Sequence, residues 1–260
     1  MAAGQARFVA WRAIDAVPSR QDSYIVPVAI AFFDLDRTLI AGNSAVLWLR
    51  SEVRLGNISR LKGALASLWV ARYHLGFAGN GDGLRHAISM LSGSPESELR
   101  DRSASFYEEH VRGLYRPGAR EALQVHRAQG DKLVLLTSSS FYISELVAQD
   151  LGLDAILCNR FEVDDAGRYT GRPLGPLCYG DGKLSHAEGY AKAQGAELSD
   201  CAFYTDSFAD IPVMRVVGRP VAVNPDMRLR REAVSRGWEI VDWGVPQVLS
   251  TATGLDGTAG

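Results

Sequence analysis

An almost unbroken apolar run, Val26-Pro27-Val28-Ala29-Ile30-Ala31-Phe32-Phe33, ends at Asp34-Leu35-Asp36. A run of this length without alternation predicts a strand buried on both faces, as parallel sheets bury theirs. From Ser44 to about Val111 the apolar spacing becomes helical. It predicts helices over Ser44–Val53, Ile58–Leu75, Gly83–Leu91 and Pro95–Val111, with Asn57 and Ser94 as N-caps. Strand and helix alternate again from Tyr115. Helices are predicted over Ala119–Gln129, Phe141–Leu151, Lys183–Gln194, Ile211–Val217 and Met227–Arg236. Strands are predicted over Lys132–Thr137, Ala155–Val163, Cys201–Tyr204, Val221–Val223 and Glu239–Trp243, and Arg168–Arg172 pairs back across an Asp-Asp-Ala-Gly turn. Gly130 and Gly152 stand where helices should stop.

This alternation predicts an α/β fold: a Rossmann-like parallel sheet with helices on both faces, interrupted after its first strand by an all-helical cap. The expected boundaries are an N-terminal extension at 1–25, a core from 26–43 and 115–245, a cap at 44–114 and a flexible tail at 246–260.

Composition narrows the reading. The 260 residues are 47% hydrophobic with a formal net charge of -2, so nothing points to a nucleic-acid surface. Cys158, Cys178 and Cys201 lie far apart and lack metal-ligand spacing; they read as free thiols in a reducing compartment. The most apolar helical window, Gly63 to Ala71, is shorter than the roughly 20 residues a membrane span requires. These features predict a soluble, cytoplasmic protein with no membrane span, either a monomer or a homodimer.

The chemistry concentrates where strands end. Residues two apart on a strand share a face, so Asp34 and Asp36 reach one site at the carboxyl edge of the sheet, where open α/β folds bind ligands. Two acids packed there need a cation, and a bound phosphate would need the same one. Three further segments occupy comparable places: Leu135-Leu136-Thr137-Ser138, Lys183 at a helix start, and Tyr204-Thr205-Asp206-Ser207-Phe208-Ala209-Asp210.

Taken in order, the four segments resemble those of the haloacid-dehalogenase-like hydrolases, in particular the phosphoserine-phosphatase-like branch with a helical cap. The resemblance runs from about Val28 to Trp243. It implies that Asp34 is a nucleophile forming an aspartyl-phosphate, and that Asp36 is general acid and then general base. It implies phosphate binding by Leu35, Thr137 and Ser138, charge neutralisation by Lys183 and a brace at Thr38. It further implies Mg²⁺ held by Asp34, Asp36, Asp206 and Asp210. The implied substrate is a small phosphomonoester.

The chain departs from phosphoserine phosphatases at three places. Ser138 and Ser139 stand where those enzymes have Gly, Ala209 where they often have Asn, and Asn43 where they have a Glu that pairs with the substrate ammonium. Arg85 matches the cap arginine that reads a substrate carboxylate, so Arg85 and Asn43 are the candidate substrate-binding residues. Trp48, Trp69 and Tyr73 form the cap core or a cage for an organic cation. The expected substrate is thus phosphoserine-, histidinol-phosphate- or phosphocholine-like. Transfer of the phosphoryl group to an acceptor other than water is the alternative, and a non-catalytic binding role a third reading.

Overall fold

A computed structural model describes residues 30–61, 63, 64 and 82–247. The expected extension, residues Val26–Ala29 of the first strand, most of the Ile58–Leu75 helix with Trp69 and Tyr73, and the end of the tail lie outside the described residues.

Six strands form one parallel sheet: β1 (Ile30–Phe33), β2 (Lys132–Ser140), β3 (Ala155–Asn159), β6 (Cys201–Thr205), β7 (Arg219–Val223) and β8 (Glu239–Val241). Their order across the sheet is β3-β2-β1-β6-β7-β8. The chain builds outward from β1 on one side, returns, and builds outward on the other. The point of reversal lies between β1 and β6, the place where open α/β sheets form a ligand crevice beyond the strand ends.

Alternation along β1 divides the core into two layers. Ala31 and Phe33 pack into one, beneath α4 (Pro117–Gln129) and α5 (Phe141–Leu151), through Ala119, Leu123, Ile143 and Val147. Ile30 and Phe32 pack into the other, beneath α6 (Asp181–Ala193) and α8 (Met227–Arg236), through Ala187, Ala191, Leu229 and Ala233. The short helix α7 (Ile211–Met214) adds Val213 and Met214 to this second layer. Burial on both faces is why β1 reads as an uninterrupted apolar run. As expected, α4 and α5 end at Gly130 (φ 81°) and Gly152 (φ 62°), both left-handed.

Between β1 and α4 lie α1 (Ser44–Arg54), α2 (Asp82–Ser89) and α3 (Glu96–His110), with helical residues resuming at Arg60. The chain enters and leaves this insertion side by side, through a bridge between Ile40 and Tyr115. α3 lies against α5. Arg100 joins Glu145 at 2.9 Å, and the Tyr107 hydroxyl lies 2.7 Å from that of Tyr115 and donates to Asp150 at 2.8 Å.

Several elements differ from expectation. Ala155–Val163 is not one strand: β3 stays in the main sheet, and β4 (Phe161–Val163) forms an antiparallel hairpin with β5 (Tyr169–Pro173). The break falls at Arg160, where polar residues interrupt the apolar run. Ser94 does not cap α3. Pro95 precedes the helix with no side-chain cap, and the Ser94 carbonyl instead accepts from Tyr169 N–H at 3.0 Å. Pro95 bridges to Arg168 of the hairpin, and the helix starts one residue later than expected, at Glu96. Asn57 also lies short of its helix, with its N–H turned back to the Glu52 carbonyl at 2.9 Å. β2 extends through Ser140, with a register irregularity between Leu136 and Ser140.

Candidate active site

Asp34 is the first residue beyond β1. Its N–H completes the pairing with β6 by donating to the Tyr204 carbonyl at 2.9 Å. The backbone then makes a single wide turn over Leu35–Leu39, with bonds from Leu39 N–H to Asp34 O (3.4 Å) and from Ile40 N–H to Leu35 O (3.1 Å). Arg37 takes a left-handed conformation within it (φ 59°), which costs a non-glycine residue energy and has to be held by its surroundings. The hold comes from Arg37 N–H to Gly42 O at 2.9 Å and from the buried Arg116, whose Nε donates to Arg37 O at 3.1 Å. The Arg116 guanidinium also donates to the Gly244 carbonyl.

The turn brings Asp34 and Asp36 to the crevice, and three other loops meet them. Lys183 is only 1% exposed, and its Nζ lies 2.8 Å from Asp34 Oδ1 and 2.7 Å from Asp210 Oδ2. Thr205 Oγ1 donates to the same Asp210 oxygen at 2.6 Å. Asp206 N–H donates to Thr38 Oγ1 at 3.0 Å, which couples the loop after β6 to the turn after β1. Thr38 is therefore the brace expected of it.

Burial dominates the electrostatics. It pushes the Asp34 carboxyl up to about 7; Lys183 pulls it back down, while Asp210 and Asp36 add to the rise. Burial also raises Asp206 well above the ordinary carboxylate range, with Asp34 the largest charged contributor. Burial lowers Lys183, but Asp210 and Asp34 more than offset this and hold it protonated. Asp36 is raised by burial and eased by the Ser44 N–H. Three buried acids face one buried ammonium, so the cluster is short of positive charge.

That deficit makes the residues a fit for a divalent cation. The available donors are carboxylate and main-chain oxygens, which suit Mg²⁺. Among the described residues no three His, Cys, Asp or Glu side chains form a complete cage. Mg²⁺ does not need one, because it keeps several waters and uses one or two carboxylates.

The other predicted residues divide. Thr137 is buried at the end of the regular part of β2; its Oγ1 accepts from Ser139 N–H at 3.2 Å, which leaves the hydroxyl proton available to an anion. The Ser138 side chain turns away to donate to Cys178 O at 2.9 Å, and Asn159 Nδ2 donates to Ser138 O at 2.6 Å. Only the main chain of Ser138 is then left to face a phosphate. Leu35 is wholly buried, with its side chain in the core, so it likewise offers only main-chain groups. Asn43 caps α1 by accepting from Val46 N–H at 3.0 Å, and its Nδ2 reaches Asp36 Oδ2 at 3.5 Å. Arg85 is exposed on α2, and among the described residues no hydrogen bond or ion pair joins it to the acid cluster.

Sequence reasoning missed Ser44, Ser139, Thr205 and Arg116. Ser44 N–H donates to Asp36 Oδ1 at 2.7 Å, Ser139 Oγ donates to Asp36 Oδ2 at 3.4 Å, and the two serine hydroxyls lie 3.0 Å apart. Ser44 and Ser139 are 95 positions apart, so no local pattern joins them.

A model of the haloacid dehalogenase-like hydrolases matches residues 31–215. The chain belongs to this family. It is 34% identical over 236 residues to phosphoserine phosphatase SerB1 of Mycobacterium tuberculosis, covering 85% of this chain and 76% of that protein. It is 28% identical over 218 residues to a histidinol-phosphatase of Neisseria meningitidis, covering 82% of this chain and 98% of that one. Among solved structures, a Bordetella pertussis protein superposes with a TM-score of 0.75 at 28% identity, covering 83% of this chain and 98% of the other. A substrate-bound phosphoserine phosphatase shares the fold with a TM-score of 0.64 at 18% identity, covering 87% and 98%. Among the described residues no helix is long and apolar enough to cross a membrane.

Proposed function

We propose that this phosphatase hydrolyses a small phosphomonoester through an aspartyl-phosphate on Asp34, with Asp36 as acid and then base and with Mg²⁺ as cofactor. The observation that carries the reading is the Lys183 bridge, 2.8 Å from Asp34 and 2.7 Å from Asp210 in a buried cluster that remains short of positive charge.

Lys183 holds Asp34 at the mouth of β1 and favours its ionised, nucleophilic form against the pull of burial. Thr137 donates its hydroxyl proton to a phosphoryl oxygen. Asp36, kept protonated more readily by its surroundings, gives its proton to the departing alcohol and then takes one from the attacking water. Bound Mg²⁺ offsets the repulsion between Asp34 and the phosphoryl group. Asp34 and Asp206, with the Asp36 main-chain carbonyl, are the residues that would hold it. Asp210 serves chiefly to fix Lys183, since its Oδ2 is occupied by Lys183 and Thr205.

The insertion, through its described helices α1, α2 and α3, acts as a cap that excludes water from this site. It starts at the site itself, because the first N–H of α1 bonds Asp36. The relatives named for phosphoserine and histidinol phosphate favour a small polar alkyl phosphate, and the capping bond of Asn43 gives that residue a structural duty beside any substrate contact. Three buried free cysteines suit a reducing, cytoplasmic setting.

The test pairs a substrate screen with one substitution. Wild-type protein in Mg²⁺ is assayed on phosphoserine, histidinol phosphate, phosphocholine, sugar phosphates and 4-nitrophenyl phosphate, with and without competing alcohols. Asp34→Asn should abolish release of inorganic phosphate from all of them and leave the circular dichroism spectrum unchanged. Retained turnover would remove the nucleophile assignment.

A further inference from the structure

Three separate segments grip the Asp36 carboxyl: the turn that carries it, the first residue of α1 and the irregular end of β2. Ser44 N–H donates to Oδ1 at 2.7 Å, and Ser139 Oγ donates to Oδ2 at 3.4 Å. Asn43 Nδ2 reaches the same Oδ2 at 3.5 Å, so both carboxyl oxygens are held by donors from outside the turn. Ser139 is in turn placed by the Ser44 hydroxyl, 3.0 Å away, and by its own N–H, which donates to Thr137 Oγ1 at 3.2 Å.

We propose that Ser139 is a positioning residue that orients the Asp36 carboxyl toward the leaving group, acting through the hydroxyl pair it forms with Ser44. The proposal rests on the reading of Asp36 as general acid. In that step a bond forms between a carboxylate oxygen of Asp34 and phosphorus. The phosphorus–ester oxygen bond breaks with its electron pair on the ester oxygen, which takes the proton from the Asp36 carboxyl and departs as the alcohol. Asp36 is left as a carboxylate, and Ser44 N–H and the Ser139 hydroxyl then donate to its two oxygens. Because Ser44 opens α1, the same contacts fasten the start of the insertion to β2.

An aim that serves proton delivery matters only where the leaving group needs a proton. The experiment compares Ser139→Ala with wild type on 4-nitrophenyl phosphate, whose phenolate leaves unprotonated, and on whichever alkyl phosphate the wild type turns over fastest. Enzyme is in excess, and release of the alcohol or phenol in the first turnover is followed by rapid quench. General acid catalysis is worth about 10²–10⁴-fold, and a misaimed acid should forfeit a part of it, about tenfold. Release from the alkyl ester should therefore slow about tenfold in Ser139→Ala, release of nitrophenol less than about twofold, and Ser139→Thr should restore most of the loss.

Equal slowing on both substrates, or no slowing on either, would overturn the proposal while leaving the phosphatase reading intact. A wild type that releases neither product would remove both. Ser139→Gly deletes the same hydroxyl and is read by the same criteria if the alanine variant fails to fold.

Discussion

Stripping divalent cations should make this protein lose stability as the pH rises from 5 to 8. The Asp34 carboxyl ordinarily titrates near 3.8 and is pushed up to about 7 by burial in the cluster. Below about pH 4 it is protonated in both folded and unfolded chains and contributes nothing to the difference between them. Between about 4 and 7 the unfolded chain releases a proton that the folded one retains, so stability falls across that window and levels off above it. A shift of about three units corresponds to about 4 kcal/mol, and about two of those units, or about 3 kcal/mol, lie above pH 5. Asp206 and Asp36 are raised too and push in the same direction. Lys183 is held above its usual 10.5, so its stabilising contribution is fully present throughout this range. For a protein of this size about 3 kcal/mol is about 5–10 °C in Tm. Thermal unfolding in EDTA should therefore show a Tm lower by about that amount at pH 8 than at pH 5. Millimolar Mg²⁺ should recover most of the difference at pH 8 and little at pH 5, and Asp34→Asn should reduce the slope in EDTA, leaving the part due to Asp206 and Asp36. A Tm that holds level or rises with pH in EDTA, in the wild type, would refute the reasoning, as would equal stabilisation by Mg²⁺ at both values.

Lys183→Met removes the one cation between Asp34 and Asp210; it should destroy turnover and cost about 3–5 kcal/mol in urea unfolding, as loss of one partner from a buried ion pair does. A variant with wild-type stability would mean that the bridge does not form. Gly182→Ala would place a methyl group on the Leu177 carbonyl oxygen, a main-chain atom that cannot swing aside, at the residue next to Lys183. It should lower kcat at least tenfold and also lower the urea midpoint, by about 1–3 kcal/mol of strain; unchanged kinetics would show that the start of α6 can shift without moving Lys183.

The catalytic core was legible because strand ends announce themselves. The apolar runs before Asp34, Thr137 and Thr205 are the buried strands β1, β2 and β6, and each delivers its polar residue to the same edge of the sheet. Lys183 carried no local signal of its own; its place among the other segments identified it. The contacts around Asp36 escaped because they depend on tertiary proximity: Ser44 and Ser139 look like an ordinary helix start and a polar loop until the chain folds them 3.0 Å apart. Arg116 was hidden for the same reason, since its partners Arg37 and Gly244 lie 79 and 128 positions away. The hairpin β4–β5 was misread in part because Phe161–Val163 continues the composition of β3, although Asn159-Arg160 marks the break. Ser94 fits the chemistry of a cap, but Pro95 pairs with the hairpin and the helix starts one residue later, at Glu96. Arg85 was matched by resemblance, and it stands exposed on α2.

The central claim is that the Asp34 carboxylate itself attacks phosphorus. Acid-quenching the wild type during turnover of its best substrate in Mg²⁺, then digesting and sequencing by mass spectrometry, should place one phosphoryl group on Asp34 and none on Asp34→Asn. A phosphoryl group found on Asp36, on a serine of the β2 end or on a histidine would contradict it.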